Sequence, residues 1–239
     1  SKRYTVIASD LRGYGDSDKP KSRSDHSTYS KREMAKDQML LMKKLGYSEF
    51  FCIGHDRGAR VFHRAALDYP KKVKKLVLID IIPTPYLYKN LNKSTSESFF
   101  HWFFLSQKKP LPENLIIKNK EYYVKSMLGR FSNNNQFLER EIINIYTKKF
   151  TKKSIFSSCE DYRAGASIDL IHHKKDCTKI ECPTLVLWGK SSLVGKNFDP
   201  LSIWKKYSKN LIGKPINGGH YLPEEKPYQV ARQILKFLK

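Results

Sequence analysis

A carboxylate on a sharp strand-to-helix turn is the feature of this sequence that could do chemistry. The pentapeptide GHDRG occupies residues 54–58 and places Asp56 between two glycines. Residues 49–53 are apolar and aromatic, as a buried strand is, and residues 60–69 carry apolar side chains at helical spacing. Glycines on both sides of a central residue permit a strained turn that exposes its side chain at the sheet edge. We therefore predict that Asp56 occupies the nucleophile position, where serine is more usual.

A carboxylate nucleophile limits the reactions that this turn could serve. When it attacks a saturated carbon that bears a leaving group, it forms an alkyl ester that water can hydrolyse. Asp56 therefore indicates cleavage of a carbon–halogen bond or of an epoxide C–O bond in two steps. Because the carboxylate is already ionised at neutral pH, a histidine would serve the water and not the nucleophile.

Two later residues could complete such a site. Asp80 ends an apolar run, and His220 follows two glycines, so the chain order is nucleophile, acid, histidine. Asp80 would fix the tautomer of His220 and stabilise its protonated ring. The loop at residues 190–196 contains no acid, which favours Asp80 over a later carboxylate. The alternatives are that Asp80 only caps a turn and that His220 is a surface residue.

The elements that must position these residues form a parallel sheet. Apolar runs separated by helical patterns predict strands joined by right-handed crossovers, at residues 4–9, 49–53, 74–80, 183–188 and 211–216. Ligands bind outside the carboxyl ends of the strands in such sheets. A capping box that starts at Ser30 begins a helix that Gly46 ends. Further helices are predicted at residues 200–208 and 225–238.

The pattern changes between residues 83 and 181, where prolines and helical spacing replace apolar runs. Helices are predicted around residues 97–106, 119–130, 135–150 and 154–164. We interpret 83–181 as an α-helical cap inserted between two parts of one core, residues 1–82 and 182–239.

Composition excludes several other classes of function. The formal net charge of +22 comes from lysines scattered along all 239 residues, which argues against a nucleic-acid surface and favours a small anionic substrate. The four cysteines have no zinc-type spacing and are expected to be reduced thiols, with no metal. The sequence shows neither a signal peptide nor an apolar run long enough for a membrane span, so a cytoplasmic protein is expected.

Eight sequence blocks occur in order at residues 10–17, 54–60, 66–70, 78–84, 101–105, 110–114, 159–166 and 219–225. Together they resemble the fluoroacetate (haloacetate) dehalogenases of the α/β-hydrolase superfamily. The resemblance covers nearly the whole chain. It implies an α/β-hydrolase fold, which is a mostly parallel sheet flanked by helices with an inserted α-helical cap.

The resemblance also implies a role for each candidate residue. Asp56 would be the nucleophile, with His220 as the base and Asp80 as its partner. Arg57 and Arg60 would bind the substrate carboxylate, for which guanidinium groups are well shaped. The departing halide would be held by three donors, His101, Trp102 and Tyr162. The alternatives are that the arginines are solvated helix residues and that the aromatic residues only fill the core of the cap.

The implied activity is hydrolysis of a 2-haloacetate to glycolate and halide, with no metal or organic cofactor, in a homodimer. An epoxide hydrolase with the same nucleophile is the alternative enzyme, although the acid-free loop and the His101-Trp102 pair favour it less. The chain starts at Ser1, whereas the resemblance places strands and an oxyanion-hole loop before the first strand. We therefore interpret the sequence as N-terminally truncated, which keeps an inactive relative as a further alternative.

Overall fold

The computed structural model describes residues 3–132, 139–176 and 178–239. Four parallel strands form one sheet in the order β1-β2-β3-β4. Their bounds are Phe50–His55 for β1, Val73–Ile79 for β2, Thr184–Gly189 for β3 and Leu211–Ile216 for β4. The parallel sheet predicted from the apolar runs is therefore confirmed for these four strands.

Two helices precede and follow β1. Helix α1 spans Lys31–Lys44, and α2 spans Arg57–Asp68. The start of α1 is as predicted, because the side chain of Ser30 accepts a hydrogen bond from the backbone N–H of Glu33. Gly46 follows α1 with a φ of +86°, a conformation that glycine adopts without strain. A short 3₁₀ helix at Ser27–Tyr29 lies just before α1.

The described residues between β2 and β3 fold into helices, as predicted for this part of the chain. They are α3 Thr84–Lys89, α4 Lys93–Ser98, α5 Phe100–Leu105, α6 Leu111–Lys118, α7 Lys120–Phe131, α8 Arg140–Lys149, α9 Lys152–Ala166 and α10 Ile168–Lys175. We call α3 to α10 the helical region. Part of the helix predicted at 135–150 falls on residues 133–138, outside the described residues.

The chain after β3 alternates short helices with β4. Helix α11 is Leu193–Asn197, α12 is Pro200–Trp204, α13 is Leu222–Glu225 and α14 is Pro227–Leu238. The helix predicted at 200–208 ends early, and the one predicted at 225–238 begins at Pro227, after a break at Lys226. No helix among the described residues is long and apolar enough to cross a membrane.

Alternate residues of the central strands pack on opposite faces of the sheet. Leu76 and Leu78 of β2 join the cluster formed with α1 and α2. Val77 and Ile79 join a second cluster on the other face, which includes Val230 of α14. Because helices cover both faces of the sheet, the carboxyl ends of the strands are where the sheet can present polar side chains to a ligand.

The prediction of a buried strand at residues 4–9 is wrong. The segment has no regular secondary structure, and Val6 within it is 69% exposed. Its apolar, β-branched residues give it strand propensity, but a strand also needs a neighbour that satisfies its backbone N–H and C=O groups. Among the described strands, β1 lies at the edge of the sheet and pairs with β2 alone.

Candidate active site

The structure confirms the predicted strand-turn-helix around Asp56. Strand β1 ends immediately before Asp56, and α2 begins immediately after it. Asp56 itself has a φ of +44°, a conformation that strains any residue with a Cβ atom. Gly54 is required, because a Cβ there would lie 2.6 Å from the backbone nitrogen of Ala59. Gly58 is not required for space, since a Cβ there would meet no atom within 4 Å.

Asp80 and His220 lie beside Asp56, as predicted. Nδ1 of His220 is 2.7 Å from Oδ2 of Asp80. Nε2 on the other side of the ring is 3.8 Å from Oδ2 of Asp56. The Asp80 carboxylate is fully buried and the His220 side chain is 18% exposed, so the alternative of a surface histidine is wrong.

Asp80 is held by further donors that sequence reasoning did not find. Its Oδ1 accepts hydrogen bonds from the backbone N–H of Gly189 at 2.9 Å and from the hydroxyl of Ser192 at 2.7 Å. Ser192 also caps α11, where its side chain accepts from the backbone N–H of Gly195. The helix-capping position is the one local feature of the sequence that could have pointed to Ser192. Its contact with Asp80 has no local pattern, because the two residues lie 112 positions apart in the chain. The carboxylate is therefore held in its orientation toward His220.

A second carboxylate fixes the turn that carries His220. Glu225 accepts hydrogen bonds from the backbone N–H of Gly219 at 2.6 Å and of Tyr221 at 3.3 Å, on either side of the histidine. The backbone N–H of His220 donates to the carbonyl of Phe131 at the end of α7. The imidazole is thus positioned by the turn, by Asp80 and by the helical region together.

The protonation states of this group follow from its charges. Burial opposes a charged imidazole, but the carboxylates of Asp56 and Asp80 outweigh burial and raise the pKa of His220 to about 10. Burial would raise the pKa of Asp56, but His220, Arg60 and Arg57 hold it well below its usual value. At neutral pH the resting site therefore contains two carboxylates and an imidazolium.

The two predicted arginines are not solvated helix residues. Arg57 donates from Nε to a carboxylate oxygen of Asp161 at 2.7 Å, and its Nη2 lies 2.6 Å from the other oxygen. Arg60 is 6% exposed and donates from Nη1 to the carbonyl of Ile82 and the hydroxyl of Thr84, both at 3.0 Å. Among the described residues Arg60 forms no salt bridge, and its Nε has no hydrogen-bond partner.

The pKa shifts of the two arginines reflect this difference. Burial favours the neutral form of Arg57, but Asp161 outweighs it and raises the pKa of the guanidinium well above its usual value. Burial lowers the pKa of Arg60 to about 10, because the nearby Asp56 compensates only in part. Arg60 is therefore a buried cation that an anionic ligand would stabilise.

The three aromatic candidates surround the same space. His101 and Trp102 lie on α5 and Tyr162 on α9, with the Tyr162 ring 5.7 Å from His101 and 6.0 Å from Trp102. Trp102 is 4% exposed and stacks 4.5 Å from the guanidinium of Arg60. Burial lowers the pKa of His101 to about 3, so its ring is neutral. Its Nδ1 is buried and has no hydrogen-bond partner among the described residues.

All eight residues predicted from sequence line one cavity of about 390 Å³. The cavity lies between the carboxyl ends of the strands and the helical region, and its remaining wall is largely aromatic and aliphatic. Trp102 belongs to the packed core of the helical region and the His101 ring contacts those of Phe99 and Phe131, as the alternative interpretation held, but both residues also face this space. The arrangement brings an ionised carboxylate, a histidine, two arginines and neutral hydrogen-bond donors around one cavity that a small ligand could occupy.

The described residues contain no group of three or more His, Cys, Asp or Glu side chains arranged to hold a metal ion. Cys52, Cys159 and Cys182 are free and buried. Cys177 lies outside the described residues.

Comparison with known proteins gives matches over nearly the whole chain. Residues 1–227 match the family model described as alpha/beta hydrolase fold. A fluoroacetate dehalogenase from Burkholderia sp. is 36% identical over 241 residues, which cover 100% of this chain and 79% of the relative. A soluble epoxide hydrolase from Corynebacterium sp. (strain C12) is 33% identical over 249 residues, covering 99% of this chain and 82% of the relative.

A solved structure gives the same fold. The crystal structure of ALR0039 from Nostoc sp. PCC 7120, assigned to the alpha/beta hydrolases, superposes with a TM-score of 0.94 at 45% identity. The match covers 96% of this chain and 80% of that chain. The matches therefore agree on the fold, while the two curated relatives have different activities.

Proposed function

Because the chain belongs to the alpha/beta hydrolase fold family, we propose that it hydrolyses a 2-haloacetate to glycolate and a halide ion. One observation carries this proposal: Asp56 and Arg60, a buried cation that forms no salt bridge among the described residues, line the same cavity. A 2-haloacetate has a carboxylate for the arginine and, on the adjacent carbon, a leaving group for the nucleophile. The identity of 36% to a fluoroacetate dehalogenase supports the same substrate class.

In the first step an oxygen of Asp56 attacks the carbon that bears the halogen. A C–O bond forms while the carbon–halogen bond breaks, and the halide leaves with the bonding electron pair. The product is an ester in which the Asp56 carboxyl group has lost its charge, while the glycolyl unit keeps the carboxylate of the substrate. No proton moves in this step, which agrees with a nucleophile whose pKa is held low and with a separation of 3.8 Å from the histidine.

In the second step water hydrolyses the ester with His220 as the general base. Esterification removes the negative charge of Asp56, one of the two carboxylates that hold His220 protonated in the resting site. The pKa of His220 then falls, the imidazolium releases one proton to solvent, and the neutral ring can accept a proton from water at Nε2. The hydroxide adds to the ester carbonyl, and the bond to the glycolate oxygen breaks. Of the two water protons, one passes through His220 to glycolate and the other returns to His220, which restores the imidazolium of the resting site.

The departing halide needs hydrogen-bond donors, above all for fluoride, whose bond to carbon is strong. We propose that His101, Trp102 and Tyr162 supply them. The orphaned Nδ1 of His101 supports this role, and burial keeps Tyr162 protonated by raising its pKa well above the usual value. In this proposal residues 83–181 act as a cap that carries the halide donors, and residues 1–82 and 182–239 form the core that carries the nucleophile, the acid and the histidine.

An epoxide hydrolase is the second candidate. The 33% identity to a soluble epoxide hydrolase favours it, and so does Tyr162, which could protonate the oxygen of an opening ring. An epoxide is neutral, however, and leaves the charge of Arg60 without a partner. The two proposals therefore differ in whether the substrate must carry a carboxylate.

The test is release of free halide from fluoroacetate and chloroacetate, with an Asp56→Ala variant as control and styrene oxide in parallel. We expect halide from the wild-type protein and at least about 10⁴-fold less from Asp56→Ala, because the variant lacks the attacking atom. Equal halide from both proteins would refute the proposal. Diol from styrene oxide with no halide from either acid would establish the second candidate.

A further inference from the structure

Asp161 is a buried carboxylate directly behind the cavity, and the chemistry proposed above does not use it. It lies on α9 next to Tyr162 and is 0% exposed. Its carboxylate binds two of the three guanidinium nitrogens of Arg57, and its backbone carbonyl accepts a further hydrogen bond from Nη2 at 3.2 Å. Two nitrogens of the Arg57 guanidinium thus bind the two oxygens of one carboxylate in a bidentate pair.

Asp161 has two further partners. The ammonium group of Lys31 forms a salt bridge to it, and the hydroxyl of Tyr14 donates to it at 2.6 Å. Asp169 of α10 supports Lys31, with its carboxylate accepting from the Lys31 backbone N–H at 2.8 Å and lying 3.3 Å from Nζ. Two buried cations and two buried carboxylates therefore form one electrically balanced cluster.

The cluster fixes the guanidinium of Arg57 in the wall of the cavity. Asp161 binds Nε and Nη2, and the ring of Tyr162 lies 4.2 Å from the guanidinium carbon. Nη1 is the nitrogen that Asp161 does not engage, on a side chain that lines the cavity. Arg60 differs, because no carboxylate among the described residues pairs with it.

We propose that Asp161 is a positioning residue that sets the orientation of Arg57 for the substrate carboxylate, and that Arg60 supplies a positive charge that no salt bridge among the described residues balances. This inference rests on the proposed function, since it assumes a carboxylate ligand in the cavity. Arg57 then orients the substrate carboxylate, because its own charge is already balanced by Asp161. Arg60 supplies the electrostatic attraction for that carboxylate.

Two effects of removing the Asp161 charge have opposite signs, which makes the inference testable. Loss of a negative charge beside an anion site would by itself tighten carboxylate binding. An asparagine at this position, however, offers one acceptor and one donor to a fork that needs two acceptors, so Arg57 would lose its fixed orientation. The inference predicts that the second effect dominates.

The experiment measures glycolate binding by calorimetry, which needs no turnover, in the full chain. Asp161→Asn is compared with Asp169→Asn, which also removes a buried carboxylate from Lys31 but does not touch Arg57. We expect Asp161→Asn to weaken glycolate binding roughly 10- to 100-fold, because a charge-assisted fork is lost. Asp169→Asn should leave binding within about 3-fold. Unchanged or tighter binding in Asp161→Asn, or equal losses in both variants, would overturn the inference.

A double variant tests whether Asp161 acts through Arg57. In an Arg57→Met background the cluster keeps two carboxylates against the single cation of Lys31, so adding Asp161→Asn should leave glycolate binding unchanged or improve it. A further loss there would overturn the inference. If Asp161→Asn does not fold, Asp161→Glu takes its place, since it keeps the charge but moves the carboxylate, and the same pattern is expected.

The proposed function is assayed separately as halide release by the same preparations. For Asp161→Asn we expect a higher KM for chloroacetate and a kcat within about 3-fold of wild type, because Asp161 touches no reacting atom. Normal halide release with an unaltered KM would overturn the inference and leave the proposed function standing. Weakened glycolate binding in Asp161→Asn, in a protein that releases no halide, would refute only the proposed function.

Discussion

Two sides of the cavity differ in how completely their polar groups are satisfied. On one side, which we call the carboxyl edge, Asp56, Asp80 and His220 follow strand ends, and Asp80 accepts three hydrogen bonds. On the other side, the donor wall consists of Arg60, His101, Trp102 and Tyr162. There, Nε of Arg60 and Nδ1 of His101 are buried without a partner among the described residues.

This difference separates two tasks. A satisfied network holds protons and charges in fixed positions, which an acid–base step requires. Buried donors without acceptors cost free energy until a ligand satisfies them, which an anion-binding wall can use to gain affinity. Under the proposed function, the carboxyl edge is therefore complete before the substrate arrives, whereas the donor wall becomes complete only with an anion in place.

The largest effect is expected from damaging the carboxyl edge at Asp80. Asp80→Asn keeps the size of the side chain but removes the charge that orients and stabilises the His220 imidazolium. We expect kcat for chloroacetate to fall about 10²- to 10⁴-fold, with KM little changed, because the site for the substrate carboxylate is intact. Steady-state kinetics on the folded variant measures both parameters. A loss confined to KM would contradict the division between the two sides.

Damage to the donor wall should appear in the opposite parameter. Arg60→Met retains a flexible side chain against Trp102 but removes the charge that no salt bridge among the described residues balances. We expect the dissociation constant of glycolate to rise roughly 100-fold, because a buried charge-assisted interaction is lost. Calorimetry measures it, and Lys36→Met on the exposed face of α1 is a matched loss of charge away from the site. Similar losses in both variants would show that general charge, and not the donor wall, attracts the anion.

The pKa of His220 measures how strongly the charges of Asp56 and Asp80 stabilise the protonated imidazole. Asp56→Asn imitates the charge of the ester, so we expect the pKa of His220 to fall by at least about one unit from its raised value near 10. An NMR titration of the imidazole would show it. A pKa unchanged by Asp56→Asn would remove the reason for His220 to become a base after esterification.

The same coupling has a consequence for stability. Because the folded-state pKa of His220 is raised, its stabilising contribution is present in full below the pKa of a free imidazole, about 6.5. The contribution is lost as the pH rises through about 10.

The smallest effects are expected on stability, from adding a methyl group at one glycine on each side of the cavity. A Cβ at Gly54 in β1 would lie 2.6 Å from backbone atoms of Ala59, whereas a Cβ at Gly165 in α9 would meet only Nη2 of Arg57, at 4.0 Å. Gly54→Ala should lower the free energy of unfolding by about 1–3 kcal/mol through overpacking. Gly165→Ala should raise it by up to about 1 kcal/mol, since alanine favours a helix. Denaturant titrations check both, and equal destabilisation would show that the close contact at Gly54 is not what matters.

Local patterns in the sequence predicted the carboxyl edge well. The strand, turn and helix around Asp56 are contiguous, and Asp80 and His220 each follow a strand, so chain order and strand ends were enough to place them. The donor wall was found only through resemblance to a family, because His101 and Trp102 in an aromatic run also look like ordinary core residues.

Long-range partners explain what the sequence did not predict. Asp161 belongs to the block that drew attention to Tyr162, but its link to Arg57 spans 104 residues and has no local signal. The error at residues 4–9 has the same origin, since strand propensity is local and a pairing partner is not. Gly58 was overestimated because a glycine pattern does not reveal which glycine has a close neighbour.

The central claim is that Asp56 becomes esterified and that His220 acts only afterwards. A His220→Gln variant incubated with chloroacetate tests it most directly by intact mass and peptide mapping. We predict a mass increase of one carboxymethyl group located on Asp56, with one equivalent of chloride released and turnover slowed at least about 10³-fold. An unmodified Asp56, with continued chloride release at the wild-type rate, would contradict the account.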